Sequence, residues 1–129
     1  MKNTIEKINF ISEKRLKWML KNSKWYKWNQ TYFDAILWEM EEVKVEIKDN
    51  NSVYLEDELW DILWTYLGLL NSLKEEWKIT SVEKVFNRCF TKFSWRLNVE
   101  NWENNWIWEE VKEVQKEELE KENNEKYWK

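Results

Sequence analysis

Residues 38–64 read WEMEEVKVEIKDNNSVYLEDELWDILW. Two apolar rows with a period near 3.6 flank the turn signal DNNS, so the stretch reads as one helix, a tight connection and a second helix. Upstream, Tyr32, Phe33, Ile36, Met40, Val43 and Ile47 fall on one stripe of a helix over 31–48. Downstream, Leu55, Leu59, Ile62, Leu63, Tyr66, Leu70 and Leu73 do the same over 53–76. Helices joined by so short a connection run antiparallel and pack as neighbours.

The same stretch sets many carboxylates beside its apolar residues. At about 100° per residue, Glu39, Glu42 and Glu46 lie on one flank of the first stripe, and Glu58, Asp61 and Thr65 on the corresponding flank of the second. Antiparallel packing brings these flanks together at the margin of the core. Like charges gathered there repel, and partial burial adds to the cost. A divalent cation offsets both effects. The i,i+3 pairs Glu39/Glu42 and Glu58/Asp61 aim four oxygen ligands at one point. The bland reading is a solvated acidic face, common in a chain with 25 Asp and Glu. Two pairs, fifteen residues apart on consecutive helices, keep the cation site in play beside it.

Working outward, a first helix is expected over 5–22, with Ile5, Ile8, Ile11, Leu16 and Leu20 as its apolar members, followed by the polar loop NSKWYKWNQ. A fourth helix starts after Thr80, where Thr80 and Glu83 have the spacing of a capping box, and runs to Leu97. Its stripe is Val82, Phe86, Cys89, Phe90, Phe93 and Leu97, which makes Cys89 a core residue. Lys92 and Arg96 sit one turn apart beside that stripe, on the side of the acids. Either they form a solvated face or they bind phosphate. Glu41, Lys44, Lys48, Glu56, Asp57, Lys84 and Arg88 fall to solvent. After the Asn-rich loop NVENWENN comes a charged helix over 107–121, with a fraying tail. Strand patterning is absent. The expectation is one all-α domain over 1–129, an antiparallel helical bundle of four to five helices with its core at 31–97, completed by oligomerisation.

Composition removes several chemistries. The chain has no His, which excludes His-based acid–base catalysis, His metal ligands and the Glu-x-x-His di-iron bundles. Any metal must be held by oxygen, and an all-carboxylate set suits Mg²⁺ or Mn²⁺. A net charge of −4 with interspersed signs argues against nucleic acid as the main partner. Cys89 is the single cysteine, so no intrachain disulfide forms, and a reduced, cytoplasmic setting is expected. The first twenty residues are broken by charge every few positions, unlike a signal peptide or a membrane span.

The order Glu39-x-x-Glu42, fifteen residues, Glu58-x-x-Asp61 resembles the signature of the MazG-type all-α nucleoside triphosphate pyrophosphohydrolases, the superfamily that also holds the dimeric dUTPases. EDELWDILWTYLGLL is similar to their third-helix block. VFNRCFTKFSWR is similar to the next helix, whose Lys-Phe-x-x-Arg element (Lys92, Phe93, Arg96) is associated with phosphate contacts. The likeness spans residues 32–97. It implies Mg²⁺-dependent hydrolysis of a nucleoside triphosphate to the monophosphate and pyrophosphate. It implies Glu39, Glu42, Glu58 and Asp61 as ligands and catalytic acids, with Glu46 a further or outer ligand. It also implies a homodimer or homotetramer; the charge-broken sequence separately gives no membrane partner as the expectation. Two departures crowd the site: Trp38 stands where the family often doubles the first acid, and Trp60 where it favours Gly. A non-catalytic helical scaffold that retains the bundle is the competing reading.

Twelve Trp stand beside one Gly, where about nine Gly are expected at the usual ~7%. Trp64, Trp108 and Trp18 suit packing. Trp25 and Trp28 occupy a polar loop, and Trp77 sits where the third helix stops and a left-handed residue, usually Gly, is wanted. One account is that UGA codons read as Gly in the source have been rendered as Trp. The other is an aromatic-rich chain using Trp for base stacking or interfaces.

Overall fold

The computed structural model describes residues 1–97 and 105–127. These residues form five helices: α1 (Lys2–Asn22), α2 (Asn29–Glu46), α3 (Ser52–Glu75), α4 (Val82–Arg96) and α5 (Asn105–Tyr127). No strand occurs among them, so the protein is all-α as its periodicities require. No helix among the described residues is long and apolar enough to cross a membrane. The chain divides into two units, Met1–Val82 and Glu83–Lys129.

In the first unit, α3 is the element shared by α1 and α2. Between Thr65 and Ser72 it is buried on almost every side: Thr65, Leu67, Gly68, Leu69, Leu70, Asn71 and Ser72 all lie inside. Burying a leucine such as Leu67 contributes about 1.5–3 kcal/mol. Most polar groups here are paired, although Asn71 Oδ1 is buried without a partner among the described residues. Asn71 Nδ2 donates to Asn9 Oδ1 (3.0 Å), Ser12 Oγ (3.2 Å) and the Leu67 carbonyl (3.0 Å), and Tyr26 O–H donates to Ser72 Oγ (3.0 Å).

The antiparallel register of α2 and α3 is fixed by a turn and by one glycine. Asn50 takes a left-handed φ of 55°, which Asn tolerates, and Asn51 Nδ2 donates to the Glu46 carbonyl (2.8 Å), satisfying an orphan acceptor at the end of α2. Farther along, the Tyr32 ring lies on Gly68. A Cβ there would fall 2.7 Å from Tyr32 Cδ1 and closer still to Cε1, so only glycine admits this approach.

Several expected stripes are less buried than their period suggests. On α2, Tyr32 and Val43 are buried, while Phe33, Met40 and Ile47 are exposed, as are Leu59 and Tyr66 on α3. The face of α2 that meets α3 runs through Tyr32, Ile36, Glu39 and Val43, so the apolar row is wider than the contact.

In the second unit, α4 and α5 are joined by polar side chains. Arg96 Nε donates to Gln115 Oε1 (2.8 Å), Gln115 Nε2 to the Lys92 carbonyl (3.2 Å), and Arg88 forks onto Glu122 (2.6 and 3.1 Å). These pairs run in opposite directions along the two helices, so α4 and α5 are antiparallel. Arg88 is therefore ion-paired rather than merely solvated. Cys89, expected in the core, is exposed, and so are Phe90, Phe93 and Leu97. The reason is that α5 has few apolar residues and takes the Arg88–Lys92–Arg96 side of α4 instead. The tail expected to fray beyond residue 121 is helical to Tyr127, with Glu122 held by Arg88 and drawn also to Lys84 and Lys126. Helix α4 begins at Val82, so the residue flanking it is Ser81, one place after the expected cap Thr80. The Asn-rich stretch 98–104 lies outside the described residues.

Candidate functional site

Glu39 lies on the face of α2 that meets α3, two turns beyond Tyr32. Asp61 lies two turns before Gly68 on α3, so the register set by the Tyr32–Gly68 contact carries Glu39 towards Asp61. Carboxylate oxygens of Glu39, Glu58 and Asp61 all come within 4.8 Å of one another. All three residues are half-buried. Glu42 is more exposed, and its carboxylate lies close enough to raise both Glu39 and Glu58.

The electrostatic consequence is uniform. Burial, then the hydrogen bond and charge of Glu42, then Asp61 and Glu58, push Glu39 up from 4.5 to about 7. Glu58 is raised by burial and by Glu42, and Asp61 by burial and by Asp57 and Glu42. Among the described residues, no basic group is a leading cause of these shifts and none is ion-paired with the three acids. Glu39 Oε2 and Glu58 Oε2 are buried and make no hydrogen bond. Buried acceptors of that kind are destabilising unless something donates to or coordinates them. An all-oxygen donor set with two orphaned oxygens fits a hard divalent cation.

Of the other expected ligands, Glu46 is engaged elsewhere: its Oε2 accepts from Asn51 Nδ2 (2.6 Å) at the α2–α3 turn. Lys92 and Arg96 belong to the second unit. There the Arg96 guanidinium lies 5.4 Å from the Trp108 ring and 5.9 Å from Phe93, while Lys92 Nζ lies 5.9 Å from Phe93.

A cavity of about 470 Å³ opens beside Glu39 within the first unit. Tyr32, Trp25, Trp38 and Trp64 supply aromatic walls, and Arg15 and Lys27 supply cations. Ser12 and Thr65 are its buried hydroxyls. Ser12 Oγ accepts from Asn71 and Thr65 Oγ1 donates to the Asp61 carbonyl (2.8 Å), so each retains hydrogen-bonding capacity for a ligand. From Glu39 back to Tyr32 the lining spans two helical turns, about 10 Å. The α1 residues Ser12 and Arg15 were not singled out by the sequence reading. The available signal was a polar residue inside an apolar row, Ile8–Ser12–Met19.

The fold and the site define a class: helical proteins that gather carboxylates from two antiparallel helices for a cation, next to a cavity of small-molecule size. Residues 28–99, over half the chain, match the MazG nucleotide pyrophosphohydrolase domain, and the chain belongs to that family. Its general class is therefore that of the nucleotide pyrophosphohydrolases. No curated protein and no solved structure matches the chain.

Proposed function

We propose that the protein hydrolyses a (deoxy)nucleoside triphosphate to the monophosphate and pyrophosphate with the help of Mg²⁺, Mn²⁺ being an acceptable substitute. The observation that carries this reading is the convergence of Glu39, Glu58 and Asp61, with two orphaned buried oxygens, beside an aromatic cavity that Glu39 lines. Glu39, Glu58 and Asp61 would hold the cation, with Glu42 as the fourth proposed ligand. When bound, the cation supplies charge neutralisation for the phosphates and activation of the attacking water.

The chain's own groups do the rest. The nucleoside enters the cavity, its base against Tyr32 and the tryptophans, as apolar walls with a few polar groups favour. Tyr32 sits two helical turns, about 10 Å along α2, from Glu39, a span suited to placing the α-phosphorus at the carboxylates while the base reaches the far end. Glu42 accepts the proton of the attacking water, a role that calls for a carboxylate within hydrogen-bonding reach. Arg15 and Lys27 bind polar atoms of the nucleoside. Lys92 and Arg96, from the Lys-Phe-x-x-Arg element, are the proposed phosphate contacts. The working protein is a homodimer or homotetramer of these chains.

The test is pyrophosphate release from a panel of ribo- and deoxynucleoside triphosphates with Mg²⁺. Release that disappears in Glu58→Gln supports the hydrolase. Silence across the whole panel sinks it and leaves a helical scaffold.

A further inference from the structure

We infer that positions 28 and 77 are glycine in the polypeptide made by the source organism, the two tryptophans standing at UGA codons that it reads as glycine. Among the described residues only Trp28, Asn50 and Trp77 combine a side chain with a positive φ. Asn tolerates this region, whereas for a bulky residue it is an outlier.

Trp77 has φ 61° and closes α3 with a Schellman pair of hydrogen bonds. Its own N–H donates to the Lys74 carbonyl (3.0 Å) and the N–H of Lys78 to the Leu73 carbonyl (2.9 Å). That geometry puts Trp77 at the C′ position, where glycine is the usual residue. Packing does not explain the indole, which is 92% exposed. Trp28, just before α2, has φ 55° and ψ −137°. This lies near a region that is essentially glycine's alone. Its ring does meet Tyr26, at 5.9 Å and a tilted angle, a contact that the backbone conformation does not require.

The single encoded glycine, Gly68, has no positive φ and serves a different purpose, the close approach of Tyr32. The left-handed backbone positions and the glycine residue are thus at different places in the chain. The composition has the same imbalance, with twelve Trp and one Gly. A codon reassignment accounts for both facts at once; an aromatic-rich interface accounts for neither φ value.

The test reads the gene and the native protein. Codons 28 and 77 are expected to be UGA. Tryptic peptides 28–44 and 75–78 from protein purified out of its source are expected to carry Gly at their first and third positions respectively. UGG at either codon overturns the inference. As a second readout on this chain, Trp77→Gly is expected to raise the thermal unfolding midpoint by about 4 °C or more, with Trp28→Gly also raising it. Trp64→Gly, which strips a cavity wall, is expected to lower it. A fall on Trp77→Gly counts against the inference. None of these readouts depends on nucleotide hydrolysis, so they stand apart from the test of the proposed function.

Discussion

Glu39 on α2 and Asp61 on α3 bring carboxylate oxygens within 4.8 Å of each other, with Glu58 in the same cluster and no ion pair from a basic side chain to them among the described residues. The cluster is therefore held together by the packing of its helices rather than by its own charges. Glu58→Gln removes one charge and one proposed ligand. It is expected to cut pyrophosphate release by at least about 100-fold, since loss of an outer-shell partner alone costs 10–100-fold in metal sites. The same variant without Mg²⁺ should melt no lower than the parent, because repulsion falls. A Glu58→Gln enzyme of parental activity would remove Glu58 from the site.

The raised acids make stability depend on pH in a definite direction. The folded state holds the Glu39 proton up to about 7, whereas the unfolded chain releases it near 4.5. Between these values the folded state binds more protons, so stability falls as pH rises. The Glu39 contribution is complete below about 4.5 and lost above about 7, and Glu58 and Asp61 act in the same sense. Thermal melts of metal-free protein are expected to drop across this window. Mg²⁺ should restore the midpoint, more so at the alkaline end where the carboxylates are ionised. A metal-free midpoint that climbs through the window would contradict the cluster as described.

Gly68 carries both register and cavity. Gly68→Ala forces the Tyr32 ring away from α3, an overpacking change expected to cost about 1–3 kcal/mol by denaturant titration. Tyr32 lines the cavity, so KM for the best nucleotide should rise as well. An alanine variant as stable as the parent would show that Tyr32 has room to move.

Arg15 lines the cavity from α1 and lies far enough along the chain from the acids to be separable from them. Arg15→Ala is expected to raise KM by about tenfold with kcat little changed, the pattern of lost uniform binding. A drop in kcat at unchanged KM would place Arg15 at the reacting phosphate instead.

Arg88 and Glu122 make a two-pronged contact between α4 and α5, but both side chains are close to half exposed. Exposed pairs of this kind are worth about 0.2–1 kcal/mol. A double-mutant cycle with Arg88→Ala and Glu122→Ala is expected to return a coupling energy in that range and to shrink it at high salt. A coupling several times larger would mean the pair is shielded from solvent.

How much of this was legible beforehand varies by element. The five helices follow from apolar period and breakers, and their ends fall within a few residues of expectation, save for α5. The pairing of Glu39 with Glu58 and Asp61 also followed, since helical phase and a five-residue connection leave little freedom. Burial was less legible. Phe33, Met40 and Ile47 share an apolar row with Tyr32 yet lie exposed, because a period reports which residues share a face and not how wide a neighbour covers it. Cys89 failed for a related reason: α5 settles on the polar side of α4.

The amino-acid order alone determined the helices, the absence of histidine chemistry and the four-acid spacing, because each is local or compositional. The folded chain decided which acids lose their water, that Glu46 turns to Asn51, that Ser12 and Arg15 join Trp64 around one cavity, and that Trp28 and Trp77 take glycine's backbone angles. Those outcomes depend on three helices meeting at particular depths, and depth is set by side chains distant in sequence, such as the Tyr32 ring resting where Gly68 has no Cβ.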